Sequence, residues 1–259
     1  MDLRLTGQTA IVTGASKGIG LAITRGLAAE GVHVTAGALT VSPELDELAG
    51  TSEVQPVTVD LAEPGGPASL VAAAGSRIDI LVNNVGAAPS RPGGFGEITD
   101  EDWQTTLTLN LMAAVRTTRA ALPVMLAARK GAIVNISSVN AVLPDPWVLD
   151  YSAAKAALAS FSKSLSKQVG QNGIRVNTVS PGPVATDLWL GDHGVAATVS
   201  RATGARPEDI ESQAAQQTVT GRFSRPDEVA DLVLILASDR TANVTGADIT
   251  IDGGLIQTL

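Results

Sequence analysis

The sequence predicts an α/β protein built on a doubly wound, Rossmann-type, seven-stranded parallel sheet with helices on both faces. Three observations carry that expectation. Short apolar runs rich in β-branched residues recur along the chain, each followed by a longer stretch with helical spacing, as in repeated βαβ units. A glycine-rich turn links the first run to the first helical stretch. Small and polar residues then collect at the ends of the later runs, the edge of an open parallel sheet where ligands bind.

The strands are expected at Thr9–Val12, Val32–Ala36, Val54–Val59, Ile78–Val82, Ala132–Ile136, Ile174–Val179 and Asp248–Ile251. The first helix, Ile19–Glu30, carries Ile19, Ala22, Ile23, Gly26 and Leu27 on one face. Two long helical stretches, Asp100–Arg129 and Tyr151–Gly170, flank the fifth strand. Asp100, Glu101 and Asp102 suit a first helical turn, where negative charge complements the dipole. A further helix over Val229–Ala237 is closed by Ser238 and Asp239. No repeat, low-complexity tract or linker marks a boundary, so residues 1–259 are read as one domain. Within it, Gly191, Gly194, Gly204 and Pro207 interrupt a weak helical pattern. The segment 186–220, which holds Leu188, Trp189, Leu190 and Val195, is expected to be a mobile substrate lid.

Composition narrows the function classes. The 259 residues are 44% hydrophobic and 17% charged, with 26 glycines, which suits an alanine- and valine-rich globular protein. A formal net charge of -8 opposes non-specific attraction to nucleic acid or anionic membranes, so neither is an expected partner. Without cysteine there is no disulfide, thiolate nucleophile or thiolate metal ligand. Met1–Ala10 lacks the apolar core of a signal peptide, and the longest apolar run, Leu232–Ala237, is too short to cross a bilayer, so a soluble cytoplasmic protein is expected. His33 and His193 stand alone and make a poor metal site, so none is expected.

Thr13 to Gly20 reads TGASKGIG, directly after the first strand and opening the first helix. Glycine is required where the chain turns sharply and where backbone must approach a pyrophosphate, and the helix behind it presents free N–H groups to the anion. Gly14, Gly18 and Gly20 are the candidates. Asp60 closes the third strand, Asn83-Asn84-Val85-Gly86 the fourth, Ser137-Ser138 the fifth, and Pro181-Gly182 follows the sixth.

The single tyrosine, Tyr151, stands four residues before Lys155, so the two share a helix face. A free phenol titrates near about 10, and an adjacent ammonium is expected to lower that value. A tuned phenol can give its proton to an oxygen that becomes alkoxide-like, or take it back, while a serine at the neighbouring strand end holds the same oxygen. Ser138 is placed for that part.

TGASKGIG, NNVG, the Asn110 of LTLN, Ser138, YSAAK and PGPVAT occur in the order seen in short-chain dehydrogenases/reductases, which the chain resembles over essentially its whole length. The resemblance implies that Asn110 holds a water in a proton relay, Ser138 orients the substrate oxygen, Tyr151 is the acid/base, and Lys155 binds the nicotinamide ribose while tuning Tyr151. The cofactor contacts it implies are Gly14, Ser16, Lys17, Gly18, Ile19 and Gly20 in the turn, Asp60 at the adenine with Leu61, and Asn84 with Gly86. Tyr151, Lys155, Pro181, Gly182, Val184 and Thr186 complete the set, the last two of Val184 and Thr186 meeting the carboxamide. It also implies a homo-oligomer, a dimer or tetramer. Val85 departs from the pattern where alanine is usual, a change that β-branching at a strand end accommodates.

The acid that binds a ribose 2′-OH should lie about 20 residues past the glycines, where Ala38, Leu39 and Thr40 stand instead. With Lys17 in the turn to attract a 2′-phosphate, NADP is favoured and NAD stays open. The expected activity is hydride transfer between NAD(P) and a ketone or secondary alcohol. Leu143, Trp147, Leu149, Leu188 and Trp189 suggest a medium or bulky apolar substrate of the 3-oxoacyl, polyketide or cyclic ketone type. Asp145 and Asp150 flank Trp147 as further candidates for substrate contact. The alternative is a non-catalytic nucleotide-binding redox sensor or partner subunit.

Overall fold

Alternation of side chains along parallel strands dictates where each residue goes, and the computed structural model follows it. Residues 1–192 and 194–258 are described here. Strands β1 (Thr9–Thr13), β2 (His33–Ala38), β3 (Val54–Thr58), β4 (Ile80–Asn83), β5 (Gly131–Ile136), β6 (Ile174–Pro181) and β7 (Asp248–Ile251) form one sheet in the order β3-β2-β1-β4-β5-β6-β7, with every pairing parallel. Ala10 and Val12 of β1 face one apolar layer and Ile11 the other; Ile80 and Val82 of β4 divide from Leu81 in the same way.

Helix α1 (Gly18–Ala29) supplies Ile23 and Leu27 to the first layer. The helices α2 (Pro43–Thr51) and α3 (Gly66–Ala73) were not expected from the periodicity. Asp100–Leu107 (α4) and Ala113–Ala128 (α5) are joined through a five-residue π-helical turn, Thr108–Met112, where one continuous α-helix was expected. Next come α6 (Leu149–Val169), α7 (Asp187–Leu190), α8 (Val195–Thr203), α9 (Pro207–Gln216) and α10 (Pro226–Ala237). From α10, Val229 and Val233 join the first layer; Ala121 and Met125 of α5 and Leu165 and Val169 of α6 build the second.

The segment read as an irregular lid is therefore mostly helical, and its breakers are helix ends. Gly191 follows α7, Gly194 precedes α8, Gly204 closes α8 in the left-handed region at φ 77°, and Pro207 opens α9. Trp189 meets Phe223 edge to face at 5.2 Å, tying α7 to the stretch before α10. Counted across the π-turn, Asp100–Ala128 runs 29 residues and by length and composition alone is apolar enough to cross a membrane, a test that the core helix of a soluble protein also passes. Its Ala113, Ala121 and Met125 are buried under the sheet.

Candidate active site

The strand order reverses between β1 and β4, and the crevice at such a switch point is where a doubly wound sheet binds its ligand. A cleft of about 870 Å³ opens there, within the range of small-molecule sites. Its floor is the turn after β1. Gly14 sits at φ 66°, a left-handed conformation in which a side chain would be strained. A Cβ on Gly20 would lie 2.0 Å from the Gly14 carbonyl oxygen, so only glycine lets α1 start this close to the turn. No side chain caps α1, so the N–H groups of its first turn are left for an anion.

The ends of β1 and β4 are locked together by Thr13. Its hydroxyl accepts from Asn84 N (2.9 Å) and Val85 N (3.1 Å), while Asn84 Nδ2 donates to the carbonyls of Thr13 (3.0 Å) and Gly14 (3.1 Å). Behind them, Asn83 donates to Thr118 at 3.0 Å and Asn135 at 2.8 Å, and Asn135 donates to Ser162 at 2.8 Å, which fastens α5 and α6 to the sheet. A Cβ on Gly86 would come within 2.6 Å of Asn110 Oδ1 and 3.4 Å of Lys155 Nζ, so the bare glycine keeps that corner of the cleft open.

Tyr151 and Lys155 both come from the first turns of α6, and both line the cleft. Lys155 is 3% exposed; its Nζ donates to the Ile136 carbonyl (2.8 Å) and lies 5.6 Å from the Tyr151 ring centre. Burial lowers its pKa from 10.5 to about 8. The expected lowering of Tyr151 by that ammonium is not the net result. Burial pushes the phenol above its ordinary value, and the Ser138 hydroxyl pulls it only part of the way back. Ser138, at the end of β5, accepts from Asn140 N at 3.1 Å, which fixes its hydroxyl at the cleft.

The π-turn carries Asn110, 1% exposed, inward. Its Nδ2 donates to the carbonyls of Ala87 (2.8 Å) and Thr106 (3.0 Å), and its Oδ1 accepts from Ala87 N (3.2 Å). Asn110 thus stands directly behind Gly86, one layer back from the cleft wall.

Of the residues singled out in the sequence, Gly14, Ser16, Lys17, Gly18, Ile19, Asn84, Gly86, Ser138, Tyr151, Lys155, Pro181, Gly182, Val184 and Thr186 line this one cleft. Gly20 supports the turn from below. Asp60 and Leu61 are not part of the wall: Asp60 accepts from Ala62 N at 2.8 Å in a local turn, and Leu61 is buried. Asp145 lines the cleft and also accepts from Trp147 N, whereas Asp150 is fully buried and offers nothing to a substrate. His33 is exposed beside Glu53 at 3.4 Å; His193 lies outside the described residues. The sequence reading missed the clamp formed by Thr13, and it gave Arg91 no part.

A dinucleotide suits these residues: an uncapped helix start, a turn that admits no Cβ, and a glycine corner beside the lysine. Past that corner Leu143, Trp147, Leu188 and Trp189 form an apolar wall, joined from α8 and α9 by Val195, Val199 and Ile210. A phenol held protonated, a serine hydroxyl and a buried lysine in one such cleft can move a proton to or from a carbonyl oxygen.

Comparison with known proteins agrees with this arrangement. A family model described as enoyl-(acyl carrier protein) reductase matches residues 14–256. The 3-oxoacyl-(acyl-carrier-protein) reductase of Thermotoga maritima is 34% identical over 262 residues, covering 98% of this chain and 100% of that protein. The D-threitol dehydrogenase of Mycolicibacterium smegmatis is 37% identical over 264 residues, covering 98% of this chain and 94% of its own length. Among solved structures, the L-sorbose reductase of Gluconobacter frateurii in complex with NADPH and L-sorbose superimposes with a TM-score of 0.91 at 36% identity, covering all of both chains.

Proposed function

The chain belongs to the short-chain dehydrogenase/reductase family, and on that footing we propose that it moves a hydride between NADP and a medium or bulky apolar ketone or the matching secondary alcohol. It is an NAD(P)-dependent oxidoreductase. The observation that carries the reaction type is the meeting of Ser138, Tyr151 and Lys155 at the inner end of a cleft whose floor is the glycine turn. The bound nicotinamide supplies or accepts the hydride.

The remaining chemistry belongs to the chain. Ser138 donates to the substrate oxygen and fixes its position. Tyr151 gives that oxygen a proton as negative charge develops on it, and burial, by holding the phenol above its ordinary pKa, keeps that proton in place at neutral pH. Lys155, an ammonium below about pH 8, compensates the charge left on the phenolate and positions the ribose. Asn110 keeps one acceptor site on Oδ1 after the Ala87 N–H is counted, enough to hold a relay water.

Support for NADP comes from Lys17 on the cleft wall, from the absence of a carboxylate at Ala38, Leu39 and Thr40, and from the NADPH held by the sorbose reductase neighbour. Support for an apolar substrate is the wall of Leu143, Trp147, Leu188 and Trp189. A polyol or ketose is the second reading, favoured by the threitol dehydrogenase and sorbose reductase relatives and by Asn140, Gln213 and Gln217 on the same cleft. A panel of 3-oxoacyl thioesters, cyclic ketones, ketoses and polyols, assayed with NADPH and NADH, decides between them. Turnover of the first two classes with NADPH is expected; efficient turnover of sugars while those ketones stay inert would transfer the assignment to the second. A cytoplasmic homo-oligomer, dimer or tetramer, is part of the same proposal, and light scattering reads its size.

A further inference from the structure

Arg91, through its guanidinium and its backbone N–H, ties together the chain segments that carry Tyr151, Asn110 and Trp147. Arg91, in the loop after β4, donates through Nη2 (2.6 Å) and Nε (3.2 Å) to the same oxygen of Asp150, the residue before Tyr151. Its Nη1 donates to Asp102 of α4 at 2.8 Å, and its backbone N–H donates to the Trp147 carbonyl at 2.7 Å. The Thr106 hydroxyl gives Asp150 a third hydrogen bond, at 2.7 Å. One turn later, Asn110 donates to the Thr106 carbonyl. Burial pushes the Asp150 carboxyl up, but the bonds from Arg91 and Thr106 outweigh it and leave it below its ordinary value.

Stability is a weak explanation for this arrangement. Asp150 is 0% exposed, its second oxygen finds no hydrogen-bond partner among the described residues, and the Arg91 side chain is only 17% exposed. Buried ion pairs of this kind add little over an apolar replacement, because desolvating the charges offsets most of their attraction. What the pair does supply is geometry, since a planar guanidinium anchored at several points fixes direction as well as distance. The charged groups that face the guanidinium are Asp102 from α4 and Asp150 from α6.

We propose that Arg91, acting through Asp150 and Thr106, is a positioning residue for proton transfer, holding the turn that carries Tyr151 and the turn that carries Asn110 in one register. Displacement of a reacting group by about 1 Å can cost about 100-fold in rate. The inference rests on the assignment of Tyr151 as the acid/base.

The test compares wild type with Arg91→Met, Arg91→Lys, Asp150→Asn and Thr106→Val in NADPH oxidation by a ketone that the wild type turns over. Arg91→Met and Asp150→Asn are expected to lower kcat tenfold or more while NADPH affinity stays within twofold, and to enlarge the solvent deuterium isotope effect on kcat. Arg91→Lys should restore part of the rate. Thr106→Val removes one hydrogen bond and leaves the ion pair, so it carries the same test, with a loss of about threefold, where a charge variant fails to fold. A kcat within twofold of wild type across the folded variants overturns the inference, as does a loss of rate with an unchanged isotope effect, the mark of a merely smaller active fraction. Tyr151→Phe run alongside separates the two ideas: if it keeps turnover, the acid/base assignment falls; if it is dead while the Arg91 and Asp150 variants behave as wild type, only the positioning role falls.

Discussion

Replacing Lys155 with methionine should make the protein more stable while abolishing its activity. The wild-type side chain is 3% exposed, and burial takes its pKa from 10.5 to about 8. Because the unfolded chain holds this proton more tightly, the group penalises folding wherever the unfolded lysine is charged. The penalty is full below about pH 8 and is relieved as pH rises towards 10.5, so this group makes stability climb across that window. At about 1.4 kcal/mol per pKa unit, the penalty is about 3 kcal/mol at pH 7 and about 1 kcal/mol at pH 9.5. Methionine, of similar length and uncharged, escapes it but gives up the hydrogen bond to the Ile136 carbonyl, worth about 1 kcal/mol. The net gain at pH 7 is about 2 kcal/mol, which for a chain of this size raises the melting temperature by about 5 °C. Thermal unfolding of the cofactor-free protein at pH 7 and pH 9.5 reads it. A variant no more stable than wild type at pH 7, or an advantage that does not shrink at pH 9.5, would refute the reasoning.

Two further outcomes follow from the same geometry. Gly20→Ala sets a methyl 2.0 Å from the Gly14 carbonyl, backbone against side chain with neither free to yield, so the turn must move; fluorescence titration should show at least a tenfold weaker NADPH affinity, and unchanged affinity would contradict the close approach. Ser138→Ala should lower kcat by about 100-fold, the cost of one oriented hydrogen-bond donor at a developing charge, with NADPH affinity unaltered in steady-state and binding assays.

Much of the fold was legible: the interior strands β1 and β5, buried on both faces, read as apolar runs, and the half-exposed edge strands β3 and β7 still show their β-branched residues, so all four fall within a residue or two of the expected bounds. Ends were less legible: β4 starts at Ile80 rather than Ile78, and β6 runs on through Pro181, since backbone pairing and not side-chain pattern decides where a strand stops. The helix α2 had a signal that periodicity alone overlooks, namely Ser42 capping Leu45 N with Pro43 at the first position. Between residues 186 and 220 the glycines and Pro207 were read as disruption, yet Gly191, Gly194 and Gly204 are helix caps and Pro207 is the first residue of α9.

The site was legible residue by residue but not in its energetics. The motif placed Tyr151 and Lys155 on one helix face, and so they are. It could not show that Lys155 turns its ammonium to the Ile136 carbonyl, or that burial outweighs nearby charge in setting the phenol's affinity for its proton. Nor does spacing reveal the π-turn at Asn110, which depends on how α4 and α5 are tied to the neighbouring loop. Arg91 stands 59 residues from Asp150, a separation at which no local pattern speaks.

Tyr151→Phe, assayed for ketone reduction and, in parallel, for NADPH binding, tests the role of Tyr151 most directly. Removing one oxygen from a side chain that caps no helix and holds no strand should abolish turnover while NADPH affinity stays within about twofold. Retained turnover would contradict the assignment of Tyr151 as the proton donor, and a wild-type protein that binds NADPH yet reduces none of the panel ketones or sugars would point instead to a nucleotide-binding protein without catalysis.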